Sequence, residues 1–140
     1  MGSVQQKTIL ILETHRALQV LYEAELQEEG FNTLLASSTA EAQQLLAGNR
    51  VDLLMSDLPE RRAAGLSTLV SLVREHAIPL VINTGYPLSM IDQSAISGAA
   101  WIQVKSSDID KLKDKIYELL GNVRPAFQPN LVKSTQGAKG

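Results

Sequence analysis

Four polar residue types stand directly after short apolar runs in this chain, and between them they hold the parts of a group-transfer site. Glu13 and Thr14 follow Thr8 to Leu12, Asp57 follows Val51 to Ser56, Thr84 and Gly85 follow Pro79 to Asn83, and Lys105 follows Ala100 to Val104. A carboxylate is a nucleophile or a cation ligand, an ammonium neutralises negative charge, and a hydroxyl beside a glycine can bond an approaching oxygen. Taken singly, each residue has a plainer account. A strand-end aspartate caps a turn, a lysine is solvated, a threonine is an ordinary strand residue, and Glu13 complements the N-terminal dipole of a helix. Only convergence makes them a site, and convergence is decided by the fold.

The apolar runs read as strands alternating with helices. Thr8 to Leu12 (TILIL) is a short apolar run rich in β-branched residues, as suits a strand buried on both faces. Ala17, Leu18, Leu21, Tyr22 and Leu26 recur at helical spacing from Arg16 to Glu29, and Gly30 supplies a left-handed stop. Phe31 to Ala36 is a second strand. Ser38 and Glu41 form a capping box opening a helix through Leu46, with Gly48 at its end. Val51 to Ser56 is the third strand, Leu66 to Val73 a third helix, Pro79 to Asn83 the fourth strand. A weaker helix is expected around Ser89 to Ser97, then a fifth strand from Ala100 to Val104. A final helix, capped by Ser107 or Asp108, turns Ile109, Leu112, Ile116, Leu119 and Leu120 inward and ends at Gly121. Five strands alternating with five helices predict an α/β fold, a doubly wound parallel sheet, because parallel neighbours need right-handed helical crossovers. In such a sheet, ligands bind outside the carboxyl ends of the strands. That is where Glu13, Asp57, Thr84 and Lys105 fall.

Composition narrows the function. The 140 residues suit one domain, expected over residues 1–121, with 122–140 read as a flexible tail or linker because it carries prolines, glycines and bases but no acid. Hydrophobic residues at 44% against 20% charged place the chain with soluble globular proteins. No apolar stretch is long enough for a membrane span and no secretory signal is visible, so a cytoplasmic location is expected. The lack of cysteine excludes disulfides and thiolate chemistry. His15 and His76 are isolated along the chain, which argues against zinc. Residues 1 to 120 hold all 15 acids and 10 of the 13 bases, so the body carries −5 and the remainder +3. A body of that sign argues against direct nucleic-acid binding. Glu13-Thr14-His15-Arg16 lacks the glycines that would cradle a flavin or nucleotide phosphate.

The chain resembles the receiver domains of two-component response regulators over residues 7 to 120. Asp57, Thr84 and Lys105 match that family's phosphorylated aspartate, hydroxyl residue and lysine in order, strand position and spacing, and Gly65-Leu66 match the opening of its third helix. The resemblance implies a flavodoxin-like fold with strand order 2-1-3-4-5 and a site made of Asp57, Thr84 and Lys105. It implies Mg²⁺ held by Glu13, Asp57 and the backbone carbonyl of Pro59. It implies a signalling module, not an enzyme, that takes a phosphoryl group from a histidine kinase or phosphotransfer protein. The output protein would meet the face made by the fourth helix, fifth strand and fifth helix, with the module a monomer or weak dimer. Four departures qualify this. Thr14 replaces the second acid, Ser106 and Arg61 replace prolines, and Ile102 occupies the aromatic switch position, with Trp101 beside it. Losing one charge-assisted contact costs about 1.5 to 3 kcal/mol, so Mg²⁺ should bind roughly ten- to hundredfold more weakly than with an acid pair. The alternative is a phosphorylation-independent interaction module on the same fold.

Overall fold

A computed structural model describes residues 7–57, 63–85, 100–104 and 109–121. Five strands run through it: β1 (Thr8–Leu12), β2 (Asn32–Ala36), β3 (Leu53–Ser56), β4 (Leu80–Thr84) and β5 (Ala100–Val104). Among the described residues there are four helices, α1 (Arg16–Glu28), α2 (Thr39–Gly48), α3 (Ala63–His76) and α4 (Ile109–Leu119). The expected helix around Ser89 to Ser97 and the expected tail 122–140 lie outside the described residues, so α4 is the fifth helix of the sequence reading. No helix among the described residues is long and apolar enough to cross a membrane.

All neighbouring strands pair in parallel, in the order β2-β1-β3-β4-β5. Period-two alternation on β1 then explains the layers. Ile9 and Ile11 point to one face, where they meet Tyr22 and Leu26 of α1 and Leu112, Ile116 and Tyr117 of α4. Leu10 and Leu12 point to the other and meet Ala42 and Leu46 of α2 and Leu69, Val70 and Val73 of α3. All four β1 side chains are almost wholly buried. Removing one fully buried leucine or isoleucine from such a layer costs about 2 to 5 kcal/mol, so the two cores hold the sheet far more firmly than any single polar contact at its rim.

Helix ends follow local chemistry. Gly30 takes φ 97, a conformation with little cost only for glycine, and lets the Phe31 N–H return to the Leu26 carbonyl at 3.2 Å. Ser38 Oγ accepts from the Glu41 N–H at 3.1 Å, and Glu41 Oε1 accepts from the Ser37 N–H at 2.7 Å. The box therefore closes one residue earlier than expected.

Two helices are rotated relative to the apolar periodicity. On α1, Tyr22 and Leu26 are buried as expected, but Leu21 is 46% exposed and Gln19 turns inward. Gln19 Nε2 donates to the carbonyls of Glu13 at 3.3 Å and Ala36 at 3.2 Å, and satisfying buried carbonyls outweighs burying one more leucine. On α4, Leu112 and Ile116 are buried, but Lys113 and Tyr117 join them while Leu119 remains exposed. Lys113 Nζ bonds Glu25 at 2.7 Å and lies 3.3 Å from Glu29, and the Tyr117 hydroxyl donates to the Glu29 carbonyl at 3.2 Å. These bonds clamp α4 onto α1 at the edge of one core.

Burial alone depresses a lysine pKa, but the hydrogen bonds and charges of Glu25 and Glu29 outweigh it and hold Lys113 above the ordinary lysine range. A raised folded-state pKa contributes stability below the unfolded value, near 10.4, that is lost as pH climbs through the folded value. Lys113→Met should cost about 2 to 3 kcal/mol at pH 7, below the full penalty for a buried pair because Glu25 is partly solvated. The wild-type advantage over that variant should shrink above pH 10.5, as read by denaturant unfolding across the alkaline range. An advantage that grows with alkalinity contradicts the clamp.

Candidate functional site

The rim at the carboxyl ends of the strands is built by the backbone before any side chain acts. Past the last β1–β3 pair, Leu12 with Ser56, the Asp57 N–H donates to the Leu12 carbonyl at 2.8 Å. Past β1, the Glu13 N–H donates to the Ala36 carbonyl of β2 at 3.0 Å. Both acids are thus fixed by neighbouring strands at the first position outside the regular ladder. Ser56 is fully buried and its hydroxyl donates to the Asp57 carbonyl.

Glu13 is buried, with 1% of its side chain exposed, and its Oε2 accepts from the His15 N–H at 3.1 Å. The chain bends at Thr14, which is exposed, and returns the His15 imidazole to within 3.3 Å of the same oxygen. Ligating atoms of Glu13, His15 and Asp57 all lie within 4.8 Å of one another. The bend thus brings His15, two residues past Glu13, into the acid cluster. The His15 side chain is itself 72% exposed. Arg16 Nη1 donates to Gln19 Oε1 at 2.7 Å, so Gln19, which sequence reasoning passed over, is held on one side by Arg16 and props the Glu13 turn on the other.

Thr84 is the last residue of β4, not the first beyond it, and is fully buried. The β3–β4 register pairs Ser56 with Ile82, which places Asp57 one residue and Thr84 two residues beyond that pair on adjacent strands. Thr84 pairs in register with Val104, the residue before Lys105. Gly85 is exposed, with open space where a side chain would begin. Asn83 Nδ2 donates to the Tyr22 hydroxyl at 2.9 Å, tying β4 to α1 below the rim. Lys105 and Pro59, expected at the site, lie outside the described residues, as do Arg61 and Ser106. Ile102 and Trp101 lie on β5.

A five-stranded, doubly wound parallel sheet of order β2-β1-β3-β4-β5 is the flavodoxin-like fold. No family model matches the chain. It is 27% identical over 119 residues to sporulation initiation phosphotransferase F of Bacillus subtilis, covering 84% of this chain and 96% of that protein. The response regulator TrrA of Thermotoga maritima, solved in complex with Mg²⁺-BeF, superposes with a TM-score of 0.72 at 25% identity, covering 81% of this chain and 99% of that one. The chemotaxis protein CheY4 of Vibrio cholerae shares the fold with a TM-score of 0.71 at 16% identity, over 81% of this chain and 98% of its own. Fold, rim residues and relatives agree in making the chain similar to the receiver domains of two-component signalling.

Gln19→Leu keeps the volume of the side chain but removes the donor to two strand-end carbonyls. It should destabilise the fold by about 1 to 3 kcal/mol and displace the amide resonances of Glu13 and His15 more than those of β4, as read in a two-dimensional amide spectrum. Unmoved resonances at 13 and 15 remove Gln19 from any role in positioning the rim.

Proposed function

We propose that Asp57 accepts a phosphoryl group from the phosphohistidine of a histidine kinase or phosphotransfer protein. The observation that carries this reading is the meeting of the Glu13 and Asp57 carboxylates at the carboxyl rim, within 4.8 Å of each other, beside the threonine that ends β4. It is supported by a relative named a phosphotransferase and by a structural neighbour that holds Mg²⁺ and the phosphoryl mimic BeF. In the transfer, an Asp57 carboxylate oxygen attacks phosphorus, the P–N bond breaks as the P–O bond forms, and the electron pair leaves with the donor's imidazole. The Thr84 hydroxyl donates to a phosphoryl oxygen of the product, with Gly85 leaving room for its approach, and the Lys105 ammonium pairs with the new negative charge.

The acid cluster fits a divalent cation, because Mg²⁺ is commonly bound through one or two carboxylates with the remaining positions left to water and phosphate. Glu13, Asp57 and the Pro59 carbonyl would hold it, and when bound it supplies positive charge to the phosphoryl oxygens. The neutral, exposed hydroxyl of Thr14 stands where a second acid would strengthen that hold, so Mg²⁺ binding is weak. Residues 1–121 form the signalling module and 122–140 a tail. Phosphorylation shifts the population between two packings around β5 and α4, and the output protein reads the face that includes them and the preceding helix.

The test uses the intact chain with a small phosphoramidate donor and Mg²⁺. Wild type should acquire an acid-stable, base-labile acyl phosphate that Asp57→Asn lacks, and beryllium fluoride with millimolar Mg²⁺ should move amide resonances around Thr84 and β5. No acyl phosphate and no response to beryllium fluoride remove the acceptor reading. Unchanged partner binding by Asp57→Asn would turn it to a phosphorylation-independent module. Thr14→Asp, which restores the second acid at an exposed position, should raise Mg²⁺ affinity roughly ten- to hundredfold, measured by titrating the Trp101 fluorescence. An affinity equal to wild type shows that Thr14 does not limit the site.

A further inference from the structure

The acid pair of this rim is incomplete in sequence but not in donor count. The bend at Thr14 replaces an oxygen donor at position 14 with a nitrogen donor one residue later. His15 Nδ1 stands 3.3 Å from Glu13 Oε2, and a donor of Asp57 completes a trio spanning no more than 4.8 Å. Two donors bound to one ion at about 2.1 Å each are separated by roughly 3 to 3.5 Å, depending on whether the ion is octahedral or tetrahedral. The Glu13–His15 separation already has that value without a rearrangement, and closing the Asp57 donor onto the same ion requires a movement of about 1 Å or so. The three donors come from two adjacent strand ends. Glu13 is anchored by its own backbone bond to β2 and by the His15 N–H, and Asp57 by its bond to β1. The carboxylate of Glu13 has two oxygens, each able to accept or coordinate through more than one lone pair.

We propose that Glu13, His15 and Asp57 form a divalent-cation site that takes a first-row transition ion of the zinc, cobalt and nickel class in preference to Mg²⁺. The reason is donor chemistry. Mg²⁺ is a hard ion that demands oxygen ligands and parts reluctantly with its water, whereas a neutral imidazole suits zinc, nickel and cobalt, whose affinities for mixed nitrogen and oxygen sites exceed that of Mg²⁺. One imidazole and two carboxylates leave open positions for water or for an oxygen of an incoming group, as in sites that bind a further ligand. The plainer role for His15 is that of a surface imidazole hydrogen-bonding a buried carboxylate at the entry to α1, and metal titration distinguishes the two. The site shares its carboxylates with the proposed phosphoryl acceptor but does not depend on acceptor chemistry, and it is read with metal alone.

The experiment titrates the intact chain with Co²⁺, Zn²⁺ and Mg²⁺ chlorides and no phosphodonor, following calorimetry, the Co²⁺ absorption bands and the hyperfine-shifted imidazole protons of the Co²⁺ form. Co²⁺ and Zn²⁺ should bind at least a hundredfold more tightly than Mg²⁺, with one shifted imidazole signal that is absent from His15→Ala and retained by His76→Ala. His15→Ala should lower Co²⁺ affinity roughly ten- to hundredfold, the range seen even for the outer partners of a metal centre, while Mg²⁺ affinity changes little. His15→Gln keeps an amide that can hydrogen-bond Glu13 but lacks the imidazole nitrogen. It should behave like His15→Ala, and full recovery of Co²⁺ binding in it overturns the ligand role. Co²⁺ affinity indifferent to His15 overturns the proposal too. A chain that binds Co²⁺ through His15 yet forms no acyl phosphate sinks the acceptor reading and leaves this one standing. Normal acceptor activity in Mg²⁺ with Co²⁺ binding blind to His15 does the reverse.

Discussion

Two backbone hydrogen bonds carry the architecture of the rim: Asp57 N–H to Leu12 at 2.8 Å and Glu13 N–H to Ala36 at 3.0 Å. Each extends the parallel ladder by one step past the last regular pair, so the first residue outside each strand is held by its neighbour's main chain. In a parallel sheet all strands leave by the same edge, and polar residues placed just after several strands therefore meet there. A buried ladder tolerates few unpaired backbone groups, which fixes its register. Slipping β3 against β1 by one residue would send Met55 and Leu54 to the wrong cores and carry Asp57 away from Glu13. The placement of the carboxylates is thus a consequence of core packing on both faces, not of interactions between the carboxylates themselves.

That origin explains why so much of the fold is legible in the residues. Ile9 to Leu12 are apolar at every position because Ile9 and Ile11 serve one core and Leu10 and Leu12 the other, as suits a strand buried on both faces. Gly30, Ser38 and Gly121 mark helix ends through conformations and bonds that act locally, and they are found where expected, Gly30 and Gly121 with positive φ. The strand order came from family resemblance, since alternation alone permits several windings. What periodicity misjudged is the rotation of α1 and α4. It counts apolar side chains, whereas these helices turn Gln19 and Lys113 inward to satisfy carbonyls and carboxylates, and leave Leu21 and Leu119 outside. The signal was present on α1, where Gln19, Tyr22 and Leu26 share a helical stripe, but a polar residue on a stripe reads as an interruption until its partners are known.

The site divides along the same line. Glu13, Asp57 and Thr84 are readable because their position is counted from a strand end. The contact of His15 with Glu13 is not, because it runs through a bend at Thr14 with no periodicity and no required glycine. A two-residue return that brings an imidazole over a carboxylate depends on what else is buried nearby. Here that is Glu13, only 1% exposed at its side chain, whose charge needs hydrogen-bond donors that the His15 N–H and its neighbours supply.

Electrostatics then gives the rim its character. Two carboxylates within 4.8 Å repel by about 1 kcal/mol in water and by several times that at the effective dielectric of a partly buried site. The cores impose this closeness and can sustain it, since the four buried β1 side chains together contribute more than the repulsion removes. An arrangement of this kind draws positive charge to itself, whether an ammonium, an imidazolium or a metal ion. The closeness of the two acids and the packing of the two cores are in this sense one property, set by the same register that pairs Leu12 with Ser56.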